Sequence, residues 1–305
     1  MTGQAAPPAV AVEADRSGAS VGRRRLLLLG PALLFLVFFL VLPMLGLLRT
    51  SLYPGERSFD SSGFSLLQYV KFLGDSYYLG VLAETIGFGI ASAFVSLLIG
   101  FPVGYSLARL PAQKRRWRLI VVILPLTLSL VVVVFGWLVV LGRNGMANSI
   151  LMGLGIFDSP QRLLFNRTAV LVVLVQQFLP FMILSVMSVV TQISPALEQA
   201  AANLRANRFT TFRRVVLPLA MPGILSGLTL VFILSASAFI TPRLIGGSKV
   251  QMVGSLIFEQ VMAILNWPFG SAMAFVLLVL TLAVTIGANT VLAHRFVSKG
   301  IVRAR

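Results

Sequence analysis

Six stretches of this 305-residue chain each run for more than twenty residues without a single charged side chain. They are Leu26–Leu48, Thr85–Leu107, Leu119–Leu141, Ala169–Val190, Leu219–Ile240 and Ser271–Ala293. About 20 apolar residues in helical form cross the hydrocarbon core of a bilayer. No water is available there, so every backbone N–H and C=O has to be paired within the segment or across a closed barrel. The chain is 57% hydrophobic and 11% charged, against about 25% charged for a soluble domain. The expected fold class is therefore an all-α integral membrane protein with six transmembrane helices. The apolar core of a cleavable signal is shorter, about 7–15 residues, so 26–48 is expected to stay as a first helix.

An even number of spans puts both termini on one side, and charge selects which. Seventeen of the 25 Lys and Arg fall in four segments: the first 25 residues, Arg109–Arg118, the connection between spans four and five, and the residues after 293. Basic loops stay in the cytoplasm, so both termini are expected there. Residues 1–25 contain Pro7, Pro8 and many small residues, and are expected to be a disordered basic tail. Residues 293–305 are expected to be a second basic tail. The net charge of +16 sits beside apolar spans rather than along an aromatic-bearing face, which argues against a nucleic-acid partner.

The composition also removes most chemistry. Cysteine is absent and His294 is the single histidine, so disulfides, thiolates and His/Cys metal centres are excluded. The "GGSK" of Gly246–Lys249 lacks the spacing of a phosphate-binding loop. No nucleophile–base constellation is credible. No catalytic, cofactor-binding or metal-ligating residue is expected in this chain.

What stands out is a charged interruption, "EQAAANLRANRFTTFRRVVLPLAMPG", from Glu198 to Gly223. Leu197, Ala200, Ala201 and Leu204 recur at helical spacing. Glu198 falls in the first turn, where a carboxylate complements the helix dipole. Asn207 is a natural N-cap for a second short helix from Arg208 to about Val216. That helix is expected to end at Leu217-Pro218, because proline disfavours helical geometry in the residue before it. Physical reading alone leaves two uses for such a helix–turn–helix: lying on anionic headgroups through Arg213 and Arg214, or docking a cytoplasmic partner.

The stretch 196–218 resembles the EAA loop of the inner-membrane permeases of binding-protein-dependent ABC importers of type I. The family pattern runs E-A-A, three residues, Gly, about nine residues to a hydrophobic position, then Leu-Pro. Glu198 is matched to the acid, Ala200 to the second alanine and Leu217-Pro218 to the terminal pair, while Gln199 replaces the first alanine. Arg205 stands at the glycine. Either it adopts φ > 0, at about 1 kcal/mol or more, or the first helix runs on and the turn is made at Ala206-Asn207. The resemblance covers Tyr78 to Leu292, a five-helix core at 78–292. A second stretch, Phe239–Leu278, is similar to spermidine/putrescine permeases through Thr241-Pro242, Leu244–Gly247, Glu259-Gln260 and Asn266–Ser271; permeases for ferric iron, phosphonates and opines share parts of it.

The resemblance implies partners: a cytoplasmic ATPase dimer that binds ATP and Mg, a second permease subunit, and a periplasmic or lipid-anchored substrate-binding protein. It implies a place in the bacterial inner membrane among lipid. It also implies coupling through Glu198, which would contact a basic group of the ATPase, with Ala200, Ala201 and Leu204 packing into its cleft. Arg205, Asn207, Leu217 and Pro218 would shape the joint. For a polyamine, Glu84, Glu259 and Trp267 are candidate residues of an outer vestibule, against the plainer reading of solvated acids and an interfacial anchor. The rival class is an ion-coupled secondary transporter, which would be expected to carry ionisable groups deep in its spans; none is found there by sequence.

Overall fold

The computed structural model describes residues 17–55 and 63–301, and among these there are helices and turns but no strand. In chain order the helices are α1 (Ser17–Ser51), α2 (Leu67–Gly74), α3 (Ser76–Ala108), α4 (Ala112–Thr127), α5 (Leu130–Val140), α6 (Met146–Gly153), α7 (Arg167–Gln192), α8 (Pro195–Asn203), α9 (Arg208–Thr211), α10 (Leu217–Ala236), α11 (Val253–Phe258) and α12 (Trp267–Ile301). Short π-helical turns occupy Phe212–Val216, Pro242–Gly246 and Glu259–Ala263. Five helical segments are long and apolar enough to cross a membrane, or six if the bent pair α4–α5 counts as one.

Two units separate near Thr50. The first is α1, whose Leu, Phe and Val side chains from Leu34 to Leu42 are exposed all round, as lipid-facing surface would be. Helix already begins at Ser17, so the tail expected at 1–25 is helical from there; residues 1–16 lie outside the described residues. No proline follows Pro8 before Pro31, and Gly18 and Gly22 weaken a helix by only about 1 kcal/mol each. Likewise α12 runs on to Ile301, so most of the basic tail expected at 293–305 continues the last span; residues 302–305 lie outside the described set.

The second unit is built on α3, α7 and α10. These three helices all pack on one another, and both α3 and α10 press glycines against α7. A Cβ on Gly104 of α3 would sit 2.8 Å from the Ile183 carbonyl oxygen, and one on Gly223 of α10 would sit 2.8 Å from that of Ser185. One turn away on each helix, Gly100 and Gly227 leave room for the Met182 side chain, whose Cγ and Sδ an added Cβ would meet at 2.7 Å and 2.6 Å. Both pairs have the G-x-x-x-G spacing that lets membrane helices approach backbone to backbone. Val173, Leu174, Met182, Val186 and Val190 of α7 are buried in consequence.

One span differs from its expected form. The stretch Leu119–Leu141 is not a straight helix: α4 and α5 meet at 94° across Leu128-Ser129. Pro125 removes one helical hydrogen bond just before the break. Hydropathy is blind to such a bend because the residues on both sides of it, from Leu119 to Leu141, are uncharged. A second, smaller core closes the end of the bundle where α3 starts. There α2, absent from the sequence reading, brings buried Phe72 against Phe269 of α12 and Tyr78 of α3.

Candidate functional site: the α8–α9 hairpin and the polar residues of the bundle

At the opposite end, α7 hands over to the charged hairpin. Ser194 caps α8, its Oγ accepting from Ala196 N at 3.3 Å, and Pro195 supplies the first turn. The helix ends at Asn203 in a Schellman arrangement: Arg205 N donates to the Ala202 carbonyl at 2.9 Å and Ala206 N to that of Ala201 at 3.0 Å. That closure needs a left-handed residue, and Arg205 takes it at φ 56°. The first of the two alternatives therefore holds, and the turn is not displaced to Ala206-Asn207. The strain is testable. Arg205→Gly is expected to stabilise the hairpin by about 0.5–1 kcal/mol, read as slower hydrogen exchange over residues 195–211. Arg205→Val, β-branched in the same conformation, should speed that exchange; equal rates in the three proteins would contradict the strain.

Asn207 then caps α9, its Oδ1 accepting from Thr210 N at 2.7 Å, as its position suggested. The expected stop at Leu217-Pro218 does not occur. The chain widens into the π turn Phe212–Val216, with Leu217 N donating to the Phe212 carbonyl, and continues into α10 as one helical segment, Arg208–Ala236. A proline in the first turn of a helix has no intrahelical partner to lose, and the wide turn relieves the backbone before it. Phe212 anchors the turn on α3, its ring 5.4 Å from that of Phe101. The outer surface of the hairpin is open: Ala200 is exposed, Ala201 half-buried, and Leu204 and Phe209 are 84% and 69% exposed. Leu217 is half-buried and Pro218 exposed.

Glu198 is not on that open surface. Its carboxylate turns back to the bundle, paired with the Arg109 guanidinium and accepting from Tyr105 Oη at 2.6 Å. Arg109, one residue past α3, also donates to the Ile193 carbonyl at 2.8 Å and lies over the Tyr105 ring. A single guanidinium thus holds the ends of α3 and α7 and the start of α8 together. Beneath the hairpin, Tyr105, Glu198, Arg208, Thr211 and Phe212 line a cavity of about 450 Å³. The left-handed turn also corrects the register of the motif. With glycine's place at Arg205, Ala200-Ala201 are the alanine pair and Gln199 stands at the acid position, so Glu198 lies one residue ahead of the pattern. Arg109 and Tyr105 were missed because Arg109 was counted only as topology; its place directly after a span, beside the cytoplasmic loops, was the available signal.

At the other end Glu84 lies within α3, which starts eight residues before it, and pairs with Arg167 at 2.7 Å. It lines a cavity of about 770 Å³ with Tyr77, Phe88 and Arg167. Glu259 and Trp267 do not line that cavity. Glu259 is exposed and opens the π turn of 259–263, while Trp267 is 43% exposed at the start of α12. The structure therefore does not bring the three vestibule candidates into one site. Asn266 caps α12 through Phe269 N at 3.1 Å, a structural task for part of the Asn-Trp-Pro stretch. Between the two ends, Gln176 and Gln177 of α7 are engaged by Trp137 and Thr241. They escaped notice because only ionisable groups were sought within the spans.

Residues 96–297 match the family model described as the inner membrane component of binding-protein-dependent transport systems. The chain is 34% identical over 244 residues to the spermidine/putrescine transport system permease protein PotB of Escherichia coli (strain K12), covering 80% of this chain and 88% of that one. With PotB of Haemophilus influenzae it shares 34% identity over 265 residues, covering 86% and 92%. Among solved structures it resembles a chain of a bacterial ABC transporter involved in the import of the acidic polysaccharide alginate, with a TM-score of 0.70, 20% identity, and 92% and 99% coverage.

Proposed function

This chain belongs to the family of inner membrane components of binding-protein-dependent transport systems, and from that premise we propose that its solute is a polyamine of the spermidine/putrescine class. It is a multi-pass inner-membrane permease subunit of an ABC importer and not itself an enzyme. One observation supports the coupling role: the capped, left-handed-turn hairpin α8–α9 stands between α7 and α10 with an open apolar outer surface. A cytoplasmic ATPase dimer, carrying ATP and Mg, would dock there against Ala200, Leu204 and Phe209. The hairpin passes through the π turn into α10 without a break, so a push on it is delivered to a spanning helix, as alternating access requires. A second permease subunit would complete the path and a substrate-binding protein would deliver the solute from outside.

The solute class rests on the likeness to spermidine/putrescine permeases. Reconstitution of the importer with its ATPase, second permease and binding protein in proteoliposomes tests it. Spermidine and putrescine are expected to accumulate only with ATP and Mg in the ATPase compartment, and ferric iron, phosphonate and opine solutes are not. In the same assay Glu259→Gln is expected to raise the KM for spermidine several-fold, since an exposed carboxylate attracts a polycation over roughly a Debye length. Salt should weaken that effect. Accumulation of iron or phosphonate instead of polyamine would reject the solute class, and an unchanged KM would reject the role of Glu259.

A further inference from the structure

Gln176 and Gln177 are the tenth and eleventh residues of the 26-residue helix α7. At about 1.5 Å per residue they lie roughly 15 Å from its start, half the depth of a hydrocarbon core about 30 Å thick. Trp137 Nε1 of α5 donates to Gln176 Oε1 at 3.0 Å, and Thr241 Oγ1 donates to Gln177 Oε1 at 2.9 Å. An indole N–H can only donate, so Gln176 keeps its oxygen toward Trp137. Each amide oxygen retains a second lone pair. Pro180 has no N–H to offer the Gln176 backbone carbonyl one turn earlier. Both amides, with Phe178 and Phe181, line a cavity of about 150 Å³ whose far wall, including Pro125 and Leu128, is the elbow between α4 and α5.

A 94° break, a carbonyl without its helical partner and two amides are each unfavourable against lipid. Non-helical backbone at membrane depth is tolerated where it is buried in protein or lines a water-filled cavity, and these features converge on one cavity. We propose that this elbow is a mid-membrane contact site for a protonated linear amine in transit. The amide oxygens of Gln176 and Gln177 accept from its ammonium groups and the rings of Phe178 and Phe181 offer their faces to the charge. No Lys or Arg lines the cavity, and neither does a carboxylate. That suits a path, because a site for passage has to bind well enough to admit the solute and weakly enough to release it. The inference rests on the polyamine reading for its ligand class, and on the elbow for its location.

The absence of cysteine allows a clean test. In the assembled importer, Gln177→Cys is treated with a membrane-impermeant, positively charged thiosulfonate, and modification of this chain is followed by mass. The introduced thiol is expected to react, and spermidine present during turnover is expected to slow the reaction at least about five-fold. A thiol that stays unreactive in every nucleotide state, or reacts equally fast with and without spermidine, overturns the site. Should the cysteine variant not assemble, Gln177→Glu serves: it is expected to shift the ratio of spermidine to putrescine uptake at least about five-fold, where a purely structural defect lowers both alike and overturns the site. If the wild-type importer carries no spermidine, the polyamine reading fails by itself. If it carries spermidine and the thiol is unprotected, that reading stands and the elbow site falls.

Discussion

Replacing Gly104 with valine is expected to lower the recovery and melting temperature of the folded subunit sharply, and Gly223→Val to do the same. A Cβ at Gly104 would lie 2.8 Å from the Ile183 carbonyl oxygen and 3.1 Å from Val186 Cβ; at Gly223 the corresponding distances are 2.8 Å from the Ser185 oxygen and 3.0 Å from Val189 Cβ. The atoms in the way include backbone, so no rotamer change relieves the clash. Nor can α7 shift freely, because it also packs at close range on Gly223 and Gly227 of α10. Overpacking a core costs about 1–3 kcal/mol where side chains can give way, and the upper end or more is expected here. A domain stable by about 5–15 kcal/mol loses a large part of that margin from either change. Gly136→Ala in α5, where an added Cβ meets nothing within 4 Å, is the folding control. Size-exclusion recovery and thermal melting in detergent read the result. A Gly104→Val subunit that melts with the control would disprove the close helix approach.

The second large effect is expected at the junction of Glu198, Arg109 and Tyr105. Arg109→Ala should lower ATP-driven uptake by roughly 10- to 100-fold while the subunit remains inserted and the ATPase still turns over. The Arg109 side chain is about four-fifths covered and that of Glu198 about three-quarters, and hydrogen bonds to charged groups contribute about 1.5–3 kcal/mol each when not fully solvated. Removing Arg109 unties the ends of α3 and α7 from α8 and leaves a partly covered carboxylate with Tyr105 alone. Glu198→Ala should uncouple for the same reason. If Glu198 acts through Arg109, the double alanine variant is no worse than the worse single one, since the two residues form one interaction. If Glu198 instead meets a basic group on the ATPase, the losses multiply. Unimpaired uptake by both single variants would show that the junction plays no part in coupling.

The hairpin shows how far a sequence carries such an argument. Asn207 and the recurrence of Leu197, Ala200, Ala201 and Leu204 are local signals, because an N-cap bonds an amide two or three residues away. Each of them specifies helix without reference to the rest of the chain. The motif register was legible too: counting back six residues from Arg205 puts Gln199, not Glu198, at the acid position, and the left-handed backbone at Arg205 agrees with that count. Leu217-Pro218 misled in the other direction, since a proline ends a helix or enters its first turn according to what the preceding backbone does, and here a π turn absorbed it.

The sequence alone determined the solvent and the number of apolar stretches, because lipid imposes a one-dimensional rule: each crossing has to satisfy its own backbone in about 20 apolar residues. The transport family was legible through the resemblance of the segment from Glu198 to Pro218. Tertiary structure alone decided which partner each polar group takes. Arg109 and Glu198 are 89 residues apart in sequence, Trp137 and Gln176 39, Thr241 and Gln177 64. Such pairings depend on how the helices close on one another, as where Gly104 and Gly223 bring α3 and α10 against carbonyl oxygens of α7, a contact that no hydropathy pattern records.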